Sequence, residues 1–340
     1  MTFPLPRGSN PNFELRGSIL MLSLWAICLL SSFAVILSYQ VRQKLTLVKR
    51  LEERDKARFI ADAAVKKAAA ELKKEPQKSY ACLQDKWSSN PQVFKEDYLG
   101  ADRFSIYYDY LEEKTGQLQS QYGLIDEERK INLNKAQAQV IERLLKIGLG
   151  LGEMEAQELA ASIKDWVDSD SQLSIPFGSA EDSDYRSLRY PYEAKDSDME
   201  SLDELLLVKG MTPEIFDKIQ DYLTVYGDGR VNVNTASKIV LLALGLNERI
   251  TDAVISLRFP KDKQEAQVFT TPQEIVPKVN QICPLSEAEA AFLNAIAENS
   301  LATVSNNFTV RAGIWLKGRN KFEVTSVINR AGNILYWKEP

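Results

Sequence analysis

The chain contains no histidine among its 340 residues. This absence excludes histidine-based catalytic triads, histidine general bases and histidine metal ligands, and with them many hydrolase mechanisms. The three cysteines, Cys28, Cys82 and Cys283, form no Cys-x-x-Cys pair, which excludes a thiolate zinc site or thioredoxin-like motif of that kind. We find no nucleophile-base pair and no phosphate-cradling glycine loop, so the sequence predicts a protein that is not an enzyme.

Positive charge is scarce relative to negative charge. Lysine and arginine total 42 residues against 47 aspartates and glutamates, for a net charge of −5. That sign is unfavourable for a protein that holds nucleic acid over a broad face. The hydrophobic share of 44% is enough for one large core or two ordinary ones, so a mainly disordered chain is excluded.

Charged residues are also missing from a long N-terminal stretch. None occurs from Ser18 to Val41. As a helix, the apolar part of this stretch is about as long as the hydrocarbon core of a bilayer is thick. We therefore predict a transmembrane segment over residues 18–41.

The same helix is expected to continue into water. Residues 40–75 contain no glycine or proline and are rich in good helix formers, whereas Pro76 excludes a helical continuation. Small apolar residues between Phe59 and Ala70 suit close packing on a sheet. A coiled-coil stalk is the alternative for this segment.

Two segments have the composition of β-structure. Phe104–Tyr110 and Gln117–Ile125, with a turn at 113–116, predict a β-hairpin. Near the C-terminus, Asn307–Leu316, Phe322–Asn329 and Ile334–Trp337 predict a three-stranded meander. Because neither piece is large enough to be stable alone, we predict one α+β domain. A long N-terminal helix packs on its antiparallel sheet, and a helical insertion interrupts that sheet.

The predicted insertion contains a repeat. Residues 128–136 and 228–236 share an Asn-x-Asn motif, and each is followed by an apolar helix that ends near a glycine, Gly148 or Gly245. Ser201–Glu204 and Thr271–Glu274 both have the pattern of a capping box. The pattern predicts two related helix-hairpin-helix units.

The N-terminus resembles the leader and stem of type IV pilins and pseudopilins. Arg16 and Gly17 directly precede the uncharged helix. The resemblance implies that a prepilin peptidase cuts between Gly17 and Ser18 and methylates the new N-terminus. The fifth mature residue, usually glutamate in that family, is Leu22 here, a departure that is typical of the minor pseudopilin K of type II secretion.

Further motifs resemble the pseudopilin K family in order and spacing. They are Glu127–Asn134, Asp165–Asp170, Gly178–Tyr185, Val231–Ala236 and Val304–Phe308. The resemblance implies a leader peptide at 1–17, a transmembrane part at 18–41, the rest of the stem and the first part of a pilin-like domain at 42–129, an inserted α-helical domain at 130–300, and closing β-strands at 301–340.

Six carboxylates are concentrated in residues 165–184. Their mutual repulsion would be relieved by a hard cation such as calcium, although an acidic solvated loop is the simpler alternative. The resemblance implies that Asp168, Asp170, Glu181 and Asp182 bind structural Ca²⁺. Asp165 and Asp184 are further candidates.

The family resemblance implies a function and a location. We expect a minor pseudopilin at the tip of the type II secretion pseudopilus, which initiates assembly and limits filament length. The expected partners are I-like and J-like minor pseudopilins, other pseudopilin subunits, the prepilin peptidase and inner membrane lipid. The C-terminal domain is expected in the periplasm, which is an oxidising compartment. A disulfide between Cys82 and Cys283 is therefore a hypothesis that the sequence does not decide.

Two other functions are alternatives. The first is a minor pilin of a type IV pilus, although small minor pilins lack such a helical insertion. The second is a membrane-anchored, helix-hairpin-helix DNA-binding protein of the competence type. The hairpins at 147–152 and 244–247 carry almost no lysine or arginine, so we expect no nucleic-acid partner.

Overall fold

The computed structural model describes residues 12–74, 79–111, 117–176, 178–259, 266–317 and 320–339. The chain divides into two compact units, residues 1–57 and residues 58–340. Most of the predicted leader and the turn predicted at 113–116 lie outside the described residues.

Helix α1 (Asn12–Lys74) supplies the part of the first unit that the structure describes. Its large apolar side chains from Ile19 to Leu51 are exposed. Among the described residues it is the one helix that is long and apolar enough to cross a membrane. The helix begins at Asn12, before the predicted start at Ser18, because residues 12–17 follow the last leader proline and contain good helix formers.

In the second unit, the remainder of α1 packs on the sheet as predicted. Ala61, Ala64, Ala68 and Leu72 are buried along one face, at the spacing of helical neighbours. A Cβ added at Gly332, in a turn of the sheet, would lie 3.1 Å from the Cβ of Ala69, so the small side chains permit a close approach. The helix ends at Lys74, shortly before Pro76.

The elements that follow α1 precede the helical region. They are α2 (Pro91–Phe94), β1 (Asp97–Leu99), β2 (Asp102–Ile106), β3 (Tyr108–Leu111), β4 (Leu118–Gln121) and β5 (Ile125–Asp126). Three of them, β1, β2 and β5, join the main sheet. The helical region contains β6 (Ile131–Asn132), α3 (Ala138–Leu149), α4 (Glu153–Val167), α5 (Asp182–Arg186), α6 (Pro213–Ile219), β7 (Leu223–Thr224), β8 (Val231–Asn232), α7 (Lys238–Ala243), α8 (Glu248–Arg258), α9 (Ile275–Ile282), α10 (Glu287–Asn299) and β9 (Leu301–Ala302). The chain closes with β10 (Asn307–Leu316), β11 (Asn320–Asn329) and β12 (Ile334–Lys338).

The main sheet is antiparallel, in the order β1-β2-β10-β11-β12, with β5 also paired to β10. The C-terminal meander is confirmed, with Asn307 opposite Asn329 at the start of its first pair. Since Ile125 pairs with Thr309, residues 127–306 leave the sheet and return to it at adjacent strands. The helical region is therefore an insertion at one point of the sheet.

The predicted hairpin is confirmed where β3 pairs with β4, and it is wrong at its base, where both strands pair with β10. Its two strands each divide, so that β2 and β5 join the main sheet while β3 and β4 form a separate hairpin. The division occurs at Tyr107, whose N–H donates to the carbonyl of Arg311 before the chain leaves the sheet. Alternation of side chains is the same on both sides of this point, so the sequence did not show which neighbour each part would pair with.

The helical region consists of two copies of one arrangement. Each copy opens with a two-residue strand, continues through two helices joined by a short loop, then a 3-10 helix and further helix, and ends in a strand parallel to the first. The parallel pairs are Ile131 with Leu223 and Val231 with Leu301. Gly150 and Gly245 have positive φ angles of 70° and 104° at the two loops, a backbone conformation that favours glycine. The assignment of these units as helix-hairpin-helix motifs stays a prediction.

None of the three cysteines forms a disulfide within the described residues. Cys82 and Cys283 are both buried, and a guanidinium N–H of Arg249 lies 2.9 Å from the sulfur of Cys283. The disulfide that the sequence left open is therefore absent from the fold.

Candidate metal site and its scaffold

The end of α4 positions the first two acidic side chains. The helix ends where Asp168 turns to an extended conformation, with φ −77° and ψ 167°. The following loop bends back, because the N–H of Gln172 donates to the carboxylate of Asp170 over 2.9 Å. This Asx-type bond, common for aspartate in turns, holds Asp170 beside Asp168.

Glu181 approaches from the other side, at the residue before α5. Its N–H donates to the carboxylate of Asp184 over 3.3 Å, which fixes the start of the helix. One oxygen each of Asp168, Asp170 and Glu181 lie within 4.8 Å of one another. Three of the four predicted metal ligands therefore come together from two loops.

These oxygens lack the donors that buried carboxylates normally have. Oδ1 of Asp168 and both side-chain oxygens of Glu181 are buried without a hydrogen-bond partner. Burial and the charges of Asp165, Asp168 and Asp196 raise the pKa of Glu181 to about 7. Burial and the neighbouring aspartates also raise the pKa of Asp168. A hard divalent cation would supply the missing positive charge by direct oxygen ligation, so the donor set fits calcium.

The other predicted carboxylates have different contacts. The carboxylate of Asp182 pairs with Arg186 at 2.8 Å and accepts the N–H of Ala194 at 2.9 Å, so it does not join the three-residue group. Asp184 pairs with Lys209 at 3.0 Å. A ligand role for Asp182 stays a prediction.

Asp165 has a supporting position. It is fully buried, and its two oxygens accept the N–H of Ser174 at 3.1 and 3.2 Å. This contact ties the loop after α4 back to the helix. Asp165 therefore shapes the loop and adds negative charge to the site.

Sequence reasoning missed Asp196, whose charge acts on Glu181. Asp196 has a positive φ of 52° and donates its N–H to the carbonyl of Trp166. An aspartate in the left-handed region is tolerated because its short polar side chain bonds locally. No local sequence signal marked Asp196, because it lies outside the acidic segment 165–184 and only the fold brings its charge near Glu181.

An aromatic group supports the acidic loop. Trp166 on α4 contacts Tyr185 edge to face, with ring centroids 5.3 Å apart. Tyr185 in turn stacks on Tyr192 at 5.2 Å. These contacts bury Trp166 and Tyr185, so the end of α4 and α5 are held together beside the carboxylates, whereas residues 169–174 of the loop are exposed.

The two Asn-x-Asn motifs join the halves of each repeat. The amide of Asn134 donates to the carbonyl of Met199 at 3.0 Å and accepts its N–H at 2.8 Å. The amide of Asn234 makes the same pair of bonds with Phe269, both at 2.9 Å. Met199 and Phe269 each lie two residues before a predicted capping box, so the two repeated sequence signals belong to one structural unit.

The capping predictions differ in outcome. Ser201 and Glu204 form a capping box at the 3-10 helix Leu202–Leu207, as predicted. Thr271 makes no side-chain capping bond. Glu274 instead accepts the N–H and the hydroxyl of Thr270, so the second box is displaced by one residue.

Buried acidic residues join the insertion to the sheet. Asp126 accepts hydrogen bonds from Asn232 at 3.2 Å and Ser305 at 2.6 Å. Glu128 accepts the side-chain amide of Asn307 at 2.7 Å. Burial, followed by the charge of Asp126, raises the pKa of Glu128 to about 8. The pKa of Glu128 at this junction therefore depends on the charge of Asp126.

The predicted processing residues lie inside a helix. Gly17 and Ser18 are both part of α1. Cleavage between them stays a prediction.

Comparison with known proteins shows what this chain is similar to. A family model described as "Type II secretion system (T2SS), protein K" matches residues 117–228. Type II secretion system protein K of Aeromonas hydrophila is 32% identical over 136 residues, which cover 38% of this chain and 41% of that protein. The putative type II secretion system protein K of Escherichia coli K12 is 26% identical over 279 residues, covering 76% and 78% of the two chains.

The chain is similar to the type II secretion system protein K family. The matched part spans about two-fifths of the length of the first of these relatives. Among solved structures, the GspK-GspI-GspJ complex of enterotoxigenic Escherichia coli contains a chain of similar fold. That chain matches with a TM-score of 0.64 and 18% identity, over 86% of this chain and 99% of that one.

The match to protein K includes the candidate metal site. The family model spans Asp168, Asp170 and Glu181 as well as the first repeat. The long apolar N-terminal helix is consistent with a membrane-anchored protein.

Proposed function

We propose that this protein is the minor pseudopilin at the tip of a type II secretion pseudopilus, where it initiates assembly and limits filament length. The observation that carries the proposal is the point of insertion. The helical region enters and leaves the sheet at the adjacent strands β5 and β10, so a pilin-like sheet and stem are kept complete while a large head is added. A subunit with such a head accepts neighbours along its stem and blocks stacking above it.

The proposed partners are an I-like and a J-like minor pseudopilin. A relative with the same fold was solved in a complex with GspI and GspJ. The apolar α1 side chains that are exposed in the first unit supply a surface for lateral packing with other subunits and with inner membrane lipid.

The proposed location is the bacterial inner membrane, with a single spanning helix and the sheet and insertion in the periplasm. A prepilin peptidase would cut between Gly17 and Ser18, and Leu22 would become the fifth residue. No catalytic role is proposed, because the site residues have roles in structure and assembly.

Calcium is proposed as a structural ligand of the head. Asp168, Asp170 and Glu181 would hold it, and Asp182 is the remaining predicted ligand. The ion would relieve the repulsion among these carboxylates and tie the loop after α4 to α5. The buried, unpartnered oxygens of Asp168 and Glu181 support this proposal.

N-terminal mass analysis of the membrane-bound protein tests the proposed function. In cells with a prepilin peptidase the chain should begin at Ser18, and in cells without it at Met1. Gly17→Leu should block cleavage, whereas the matched change Gly8→Leu in the leader should leave it intact. An intact Met1 start in peptidase-containing cells would refute the assembly mechanism. Co-purification of I-like and J-like subunits with the processed chain is the expected second result.

A further inference from the structure

A groove with a volume of about 520 Å³ lies between β3 and the helical region. All four residues of β3, from Tyr108 to Leu111, line it. Successive side chains of a strand point to opposite faces. A cavity that four consecutive residues line therefore runs along the edge of the strand, where backbone groups are accessible.

That edge of β3 has no strand beside it in the part of the chain that the structure describes. On its other side β3 pairs with β4, with Tyr108 opposite Gln121 and Leu111 opposite Leu118. In an antiparallel pair, alternate residues direct their N–H and C=O groups away from the partner strand. The groove therefore offers hydrogen-bond donors and acceptors at strand spacing.

The opposite wall carries cations, most of which are neutralised within the fold. Lys130 pairs with Glu127 at 2.6 Å, and Lys238 pairs with Asp252 at 2.6 Å. Arg311 pairs with Asp221 at 3.1 Å. These pairs leave little charge to attract a ligand.

Arg129 differs from these cations. Its guanidinium lies 5.7 Å from the centre of the Tyr110 ring, and no carboxylate lies within ion-pair distance of it among the described residues. It is half-buried, so its charge is less screened than that of a surface arginine. A planar guanidinium held against an aromatic ring is a strong partner for a carboxylate.

We propose that this groove binds an extended acidic segment of a partner polypeptide, which adds as a strand to β3 and places a carboxylate on Arg129. At about 3.3 Å per residue, the four residues of β3 offer roughly 13 Å of strand edge, enough for about four residues of the partner. Leu111 and Leu118, which are 52% and 69% exposed, provide apolar contact at one end. Backbone pairing gives affinity in this mode, and the side-chain contacts give specificity. The proposal does not depend on the secretion function.

The test uses the full chain in detergent micelles and fluorescein-labelled peptides of sequence Thr-Val-Glu-Val-Thr and Thr-Val-Gln-Val-Thr, measured by fluorescence anisotropy. The glutamate peptide should bind at least tenfold more tightly than the glutamine peptide, because only it completes the ion pair. Two glutamate peptides, N-methylated at alternate amides, probe strand addition. The one methylated on the edge that faces β3 should lose binding, and the one methylated on the other edge should keep it.

Variants assign the carboxylate site. In Arg129→Gln the two peptides should bind equally, whereas the matched change Arg143→Gln, on α3, should preserve the tenfold difference. Thermal unfolding of each variant checks that it is folded. If Arg129→Gln unfolds, the four peptides with the unaltered chain still decide the question.

Three results would overturn the proposal. They are equal binding of the glutamate and glutamine peptides to the unaltered chain, equal binding of the two N-methylated peptides, and no saturable binding of any peptide at millimolar concentration.

Discussion

Replacement of Glu181 by glutamine should have different effects on the stability of the fold in the absence and in the presence of calcium. Glu181 is 4% exposed, both of its side-chain oxygens are unpartnered, and its pKa is raised to about 7. Without metal at pH 8, the ionised carboxylate is buried against its preference, so Glu181→Gln should be at least as stable as the natural chain. With calcium, the natural chain gains the binding free energy and the variant does not.

The expected magnitude follows from ligand linkage. Calcium at a hundred times its dissociation constant contributes about 2.7 kcal/mol to the folded state. For a domain of this size, that gain corresponds to a rise of roughly 5 to 10 °C in Tm. Circular dichroism melts at pH 8 in EDTA and in calcium should show this rise for the natural chain and little change for Glu181→Gln.

A matched variant separates ligation from local packing. Asp182 bonds to Arg186 and to Ala194, so Asp182→Asn should lower Tm in EDTA; an equal loss in calcium would assign its side chain to packing, and a larger loss in calcium would add it to the ligands. A full calcium-dependent rise in Glu181→Gln would refute the site. A natural chain whose melt does not respond to calcium would refute it as well.

Three further predictions concern the scaffold. Because the pKa of Glu128 is raised from 4.5 to about 8, the folded state binds more protons than the unfolded state in that range. Stability should therefore fall as pH rises from 4.5 to about 8, and urea titrations should show a weaker dependence in Glu128→Gln. Asn234→Ala leaves the buried N–H and C=O of Phe269 unpaired and should cost about 2 to 4 kcal/mol in urea unfolding. Asn134→Ala should cost less, because that side chain is half-buried. Ala64 is at a fully buried position of the stem, so Ala64→Leu should lower the free energy of unfolding by about 1 to 3 kcal/mol in thermal melts. Phe59 is 77% exposed, so Phe59→Leu should have little effect. Equal losses in the two variants would contradict the packing of the stem on the sheet.

Local signals in the sequence determined several elements. The absence of glycine and proline between residues 40 and 75 gave a continuous helix that ends at Lys74, because backbone propensity and the proline ring act within a few residues. The turn residues of the C-terminal meander set its strand bounds for the same reason. The repeated Asn-x-Asn motif was recognisable in the sequence, and in the structure the second asparagine of each copy makes the same pair of hydrogen bonds, to Met199 or to Phe269.

Other features depended on which distant segments meet. Nothing near Phe104 in the sequence shows that β2 pairs with β10, since β-pairing is a contact between segments far apart in the chain. The candidate metal site combines Asp168 and Asp170 with Glu181, whereas the carboxylate of Asp182 pairs with Arg186, although Glu181 and Asp182 are adjacent. The two side chains point in different directions because Glu181 is the residue before α5 and Asp182 is its first residue.

Charge and hydrophobicity along the chain thus determined a long apolar N-terminal helix, a C-terminal β-meander and an acidic helical insertion. Only the tertiary structure decided which carboxylates face one another without donors, that Asp196 acts on Glu181, and that Arg129 faces a groove beside the open edge of β3. The physical reason is that helix formation and turns depend on neighbours in sequence, whereas burial, pKa and the pairing of charges depend on neighbours in space.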